Sequence, residues 1–91
     1  MRIRNFEWDE HNVLHLELGH GIKPEEAEEV FAVQPLLRRT RKGHYAAMGP
    51  TLDGRFLTIV FEMKRQGLVR VITGWDMPRN EKAYWHRHKA R

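Results

Sequence analysis

The hydrophobic period of this chain changes at Pro35 and changes back after Pro78, and these two switches limit the possible folds more than any other feature. Between them, apolar and polar residues alternate as they do along half-buried strands. The clearest run is residues 55–63, rich in Phe, Ile, Val and Thr, where Leu57, Ile59, Phe61 and Met63 make one wholly apolar face. Residues 36–42, 44–48 and 68–74 read as three further strands. Gly49-Pro50 and Asp53-Gly54 punctuate a loop, and the polar residues 64–67 read as a hairpin turn. Consecutive strands joined by short turns pair antiparallel.

Outside this stretch the spacing is mostly helical. Residues 3–8 alternate briefly as a first strand, and Asp9 then suits the N-cap of a helix over 10–18. Val13, Leu14, Leu16 and Leu18 give that helix an imperfect apolar stripe, and Gly19 and Gly21 stop it. A second helix over 24–32 has Pro24 at its first position and Glu25 and Glu26 in its first turn. Ala27, Val30 and Phe31 share one face of it, and Glu25, Glu28 and Glu29 take the solvent side. Pro78 opens a third helix over 79–88, which carries Glu81, Lys82, Tyr84, Trp85 and Arg87. The order β-α-α-β-β-β-β-α predicts a single α+β domain over residues 1–91, an antiparallel sheet with its helices on one face. Leu14, Val30, Phe31, Leu57, Ile59 and Phe61 are its expected core.

Composition narrows the function classes. With 41% hydrophobic and 31% charged residues the chain is not globally disordered. Cysteine is absent, which removes disulfides and thiolate metal sites. Serine is absent too, which removes a serine nucleophile. The start MRIRNFEWDE has no apolar run for a signal peptide or membrane span, so a cytoplasmic protein without membrane contact is expected. Charge is divided along the chain: residues 1–35 balance at −5 and residues 36–91 at +9. Such asymmetry suggests a nucleic-acid or acidic-protein partner.

An ordered set of residues carries a resemblance. Phe6-Glu7-Trp8-Asp9, Asn12, His20-Gly21-Ile22, Glu28-Glu29-Val30-Phe31, Gly43, Gly49, Asp53-Gly54-Arg55, Val69-Arg70-Val71-Ile72-Thr73, Asp76-Met77 and Glu81 succeed one another from about residue 3 to 87. With them the chain resembles the BrnT family, toxins of bacterial type II toxin–antitoxin pairs with a RelE-like fold. The resemblance implies a ribonuclease that arrests growth by cutting RNA. It also implies a cognate antitoxin that carries the DNA-binding activity, so DNA is met only indirectly, and a possible homodimer within the complex. The chain departs from the family at Trp75, where an arginine usually precedes the Asp that ends the fourth strand. An arginine there neutralises phosphate; an indole can instead stack on a base.

Metal-free RNA cleavage uses the substrate's own 2′-hydroxyl. It needs a base for that proton, cations around the phosphate and an acid for the leaving oxygen. His44, directly after the basic run Arg38, Arg39, Arg41 and Lys42, is the first candidate, or else an exposed strand histidine. Arg55 reaches phosphate or pairs with Asp53 or Asp76. Arg70, on the side of Leu68 and Ile72 by strict alternation, is a site residue or a structural ion pair. Arg41, Tyr45 and Trp75 are candidates for RNA binding, with core packing the alternative for Tyr45. His11 and His15 lie four apart on a helix, but no acidic third ligand accompanies them, and neither a metal nor another cofactor is expected. Three functions remain: a metal-independent endoribonuclease neutralised by an antitoxin, a catalytically impaired module that binds such a partner or RNA without cutting, or a small basic domain that only docks an acidic protein.

Overall fold

A five-stranded sheet in the order β1-β5-β4-β3-β2 forms the centre of the computed structural model, which describes residues 3–41 and 43–89. The elements run β1 (Asn5–Glu7), α1 (Glu10–His20), α2 (Pro24–Ala32), β2 (Leu36–Arg39), β3 (Tyr45–Pro50), β4 (Phe56–Met63), β5 (Leu68–Asp76) and α3 (Arg79–Lys89). The antiparallel core expected from the alternation is β2 through β5. The first strand joins it in parallel, Phe6 opposite Val69, so the whole sheet is mixed. The expected strand over 36–42 ends at Arg39, and Lys42 lies outside the described residues.

The helix ends follow the chemistry of their caps. Asp9 accepts the Asn12 amide while Asn12 Oδ1 accepts the Asp9 amide, a closed capping box at the start of α1. Gly19 lies inside α1, and Gly21, at φ 65°, is the residue that ends it. Pro24 takes the first turn of α2 as expected.

One face of the sheet holds the core. Leu57, Ile59 and Phe61 of β4, Val69 and Val71 of β5 and Val30 of α2 are fully buried, with Phe31 packed edge-on against Phe61. Leu14 does not belong there: it is 45% exposed and Leu18 is 82% exposed, while Leu16 is fully buried. The stripe is displaced because α1 lies along β5, where β1 has ended and a strand carbonyl needs a donor. Asn12 takes that inward position and its Nδ2 donates to the carbonyls of Glu7 and Val71. Two of the three α2 carboxylates assigned to solvent are also engaged. Glu28 accepts the Trp8 indole N–H, and Glu29 accepts the Leu52 amide.

The helices do not share one face. Glu81 and Trp85 of α3 meet Thr58 and Phe56, which alternate with the core residues of β4 and so point to its other side. Thr58 is buried beneath α3, and its hydroxyl is satisfied by Glu81.

A bulge completes the frame. Val60 pairs with Thr73 but Phe61 pairs with Val71, which leaves Ile72 as an extra residue in β5. Strict alternation fails there. Arg70, Thr73 and Trp75 now share the outer face, opposite Glu62, Val60 and Thr58. Gly74 turns inward, where a Cβ would lie 2.8 Å from Ile59 Cδ1 and 3.1 Å from the Thr58 carbonyl oxygen, so a larger residue would have to push the Ile59 side chain aside and press on strand backbone.

Candidate active site

The outer face carries an open groove of about 370 Å³ lined by Thr40, Arg41, His44, Val60, Ile72, Thr73 and Trp75. Three segments distant in sequence build it. The turn between β2 and β3 supplies Arg41 and His44, β4 supplies the apolar floor at Val60, and bulged β5 supplies Ile72, Thr73 and Trp75.

The turn that presents Arg41 and His44 is closed by its own backbone. His44 N–H donates to the Arg41 carbonyl at 2.8 Å, and the His44 carbonyl accepts from Thr40 at 3.1 Å. Gly43 has φ 79°, a conformation that disfavours side chains and that glycine adopts freely. A cation and an imidazole therefore stand at the two ends of one tight turn.

Trp75 is held by its edge. Its Nε1 donates to both Glu81 carboxylate oxygens, at 3.0 and 3.3 Å. The ring cannot turn without breaking this bond, so an indole of fixed orientation lines the groove.

The other candidates lie elsewhere. Arg55 precedes β4 and makes a bidentate pair with Asp76, Nε to Oδ1 at 2.7 Å and Nη2 to Oδ2 at 2.9 Å. Its Nη1 donates to Glu26 at 3.0 Å and to the Gly21 carbonyl at 2.9 Å. Of the partners the sequence offered Arg55, Asp76 is the one realised. The hydrogen bond to Asp76 raises the Arg55 pKa above the ordinary arginine value. The same bond holds the Asp76 carboxyl below the ordinary carboxylate value. Thus Arg55 ties the end of α1, the start of α2 and the end of β5 together.

Arg70 is half-buried and paired. Its Nη1 lies 2.9 Å from Asp9 Oδ2 and 3.2 Å from Glu7 Oε1. The Asp9 contact, followed by that to Glu7, raises the Arg70 pKa. Hydrogen bonds from Lys64 and then Arg70 lower that of Glu7, and Arg70 lowers that of Asp9. Arg70 borders a smaller hollow of about 170 Å³ with His11, Asn12, His15, Val71 and Ile72, and Ile72 also lines the groove. Tyr45 packs on the core side, its ring stacked on Phe61 at 5.8 Å between centroids, with Arg39 above it.

Thr73 was not singled out by the sequence as a groove residue. No local motif marks it, because only the bulge at Ile72 turns it outward. Two histidines of α1 meet its hydroxyl: His15 Nε2 is 2.9 Å and His20 Nε2 3.3 Å from Oγ1.

No protein-family profile matches the sequence, and no curated protein matches it. Among solved structures, the fold is similar to that of the crystal structure of the Brucella abortus ribonuclease toxin BrnT. The superposition has a TM-score of 0.70 at 16% sequence identity and covers 82% of this chain and 97% of that one. The chain therefore has the BrnT fold, as the ordered residue pattern implied. Among the described residues, no helix is long and apolar enough to cross a membrane.

Proposed function

We propose that this chain is the toxin of a toxin–antitoxin pair, a metal-independent endoribonuclease whose site is the outer-face groove. The observation that carries the reading is the meeting of Arg41, His44 and Trp75 in one groove on a BrnT-like fold. His44 takes the proton of the attacking 2′-hydroxyl. Arg41 neutralises the phosphate as charge builds on its oxygens, and its planar fork suits that task. Trp75 stacks on a base and sets the register of the strand. Arg70, at the far side of Ile72, is neutralised by Glu7 and Asp9 and, like Arg55, holds the frame through its ion pairs. A cognate antitoxin covers the basic half of the chain.

The test is incubation of the purified protein with unstructured RNA in a chelator, with the product ends identified. Attack by the 2′-hydroxyl leaves a 2′,3′-cyclic phosphate and a 5′-hydroxyl. Cleavage with those ends supports the reading; cleavage that stops in chelator contradicts it. Growth arrest on expression, relieved by a neighbouring gene's product, tests the biological half. A second reading rests on Trp75, an indole where the resembled family usually has arginine. In that reading the groove binds RNA or the partner without cutting, and binding without any cleavage product supports it.

A further inference from the structure

Cleavage with an RNA 2′-hydroxyl as nucleophile moves two protons, one off the attacking oxygen and one onto the leaving oxygen. His44 accounts for the first. The rest of the groove wall contains Thr40, Arg41, Val60, Ile72, Thr73 and Trp75. Arginine keeps its proton throughout the neutral range. The Trp75 N–H is engaged with Glu81, and valine and isoleucine have no proton to give. Thr40 and Thr73 each carry a hydroxyl, but only that of Thr73 sits between two imidazole nitrogens, His15 Nε2 at 2.9 Å and His20 Nε2 at 3.3 Å. One hydroxyl proton can be donated to only one of them. The other nitrogen is satisfied by donating its own N–H to Oγ1, so the three groups form a directional chain. The two rings are 5.2 Å apart between centroids, close enough for one hydroxyl to bridge them.

We propose that His15, Thr73 and His20 form a proton relay that supplies the leaving oxygen, with Thr73 as the residue touching substrate and the two histidines as positioning residues acting through it. This inference rests on the endoribonuclease reading and deepens it. In the step, the O2′–P bond forms as His44 takes the O2′ proton. The P–O5′ bond breaks with its electron pair going to O5′. The Thr73 hydroxyl turns its proton from the accepting histidine to O5′ and takes one from the other histidine, which enters the step as the imidazolium. That histidine ends neutral and His44 ends protonated, so water exchange restores the starting state. The titratable and charged groups bordering the relay are His11 and Arg70 in the adjoining hollow and Arg41 and His44 across the groove.

The experiment compares wild type, Thr73→Val, Thr73→Ser and the double variant His15→Gln/His20→Gln on two RNAs, one ordinary and one with sulfur in place of the scissile 5′ oxygen. A thiolate leaves without a proton. The relay predicts a loss of about 10²-fold or more on ordinary RNA for Thr73→Val and for the double histidine variant, with retention in Thr73→Ser. On the sulfur substrate all four cleave at comparable rates. The double variant should also lose the limb of the pH–rate profile that reports the acid. Equal slowing of Thr73→Val on both substrates overturns the relay, because the hydroxyl is then structural. Wild-type rates for Thr73→Val on ordinary RNA overturn it as well, while leaving the endoribonuclease reading intact. No cleavage of either RNA by wild type overturns both.

Discussion

The indole of Trp75 is anchored to Glu81 of α3, Nε1 to Oε1 at 3.0 Å, and the same oxygen accepts the Thr58 hydroxyl at 2.6 Å. A residue that departs from the resembled family is thus fastened by the terminal helix, and the packing of α3 on the outer face fixes the ring that lines the groove.

Trp75→Ala is expected to weaken RNA binding by about 1–3 kcal/mol through the lost stacking surface. Glu81→Gln keeps an acceptor and should weaken binding less, since it loosens the ring without removing it. Trp75→Arg should raise the cleavage rate if missing charge is limiting. Titration with a 2′-O-methyl RNA, which binds but cannot cyclise, measures the first two effects apart from catalysis.

Arg41 and Arg55 are expected to part company when each is changed to alanine. Arg41→Ala should lower the cleavage rate about 10²–10³-fold with little change in melting temperature. Arg55→Ala should lower the melting temperature and cost activity far less at temperatures where the protein stays folded. Steady-state kinetics beside thermal melts separate the two, and the reverse ranking would place the phosphate at the other end of β4.

Acid should destabilise the protein partly through Asp76. Its carboxyl is held below its ordinary value by Arg55, so its contribution is complete above an unfolded value of about 3.9 and is lost as pH falls through the lower folded one. Asp76→Asn should flatten that part of the curve of melting temperature against pH. At neutral pH it should cost about 1 kcal/mol or less, because the side chain is 61% exposed.

Truncation of Phe61, fully buried on β4, is expected to cost about 3–5 kcal/mol. Asn12→Ala should cost about 1–3 kcal/mol, since it removes the donor to the Val71 carbonyl and half of the capping box. Leu18→Ala, at an exposed site, should stay within about 0.5 kcal/mol. Chemical denaturation orders the three.

The proposed antitoxin is expected to bind more weakly as salt rises, because an acidic or amphipathic segment of it would have to answer the excess of nine positive charges after residue 35. Affinity that does not change with salt would contradict an electrostatic docking surface.

Much of the frame was legible because local signals agreed. The Asp9 cap, the Pro24 start and the apolar row of Leu57, Ile59 and Phe61 each follow from short-range chemistry. The errors arise where a distant group decides. Leu14 looks like a core residue until the free edge of β5 draws Asn12 inward. Nothing local shows that Thr58, on the strand face opposite the apolar row, is covered by α3 with Glu81 accepting its hydroxyl. The facing of Thr73 and Trp75 depends on one extra residue, Ile72, which no alternation rule marks. Of the site candidates, Arg41, His44 and Trp75 meet in the groove, while Arg55, Arg70 and Tyr45 are engaged in ion pairs or on the core. Chain position alone does not tell which arginine meets an acid first.

The single-turnover cleavage rate of His44→Ala on unstructured RNA, read beside its melting temperature, bears most directly on the groove as a ribonuclease site. His44 sits in a turn closed by backbone hydrogen bonds, so the fold should survive the change. The rate is expected to fall about 10²–10⁴-fold with the melting temperature nearly unchanged. A wild-type rate from His44→Ala would place the chemistry outside this groove.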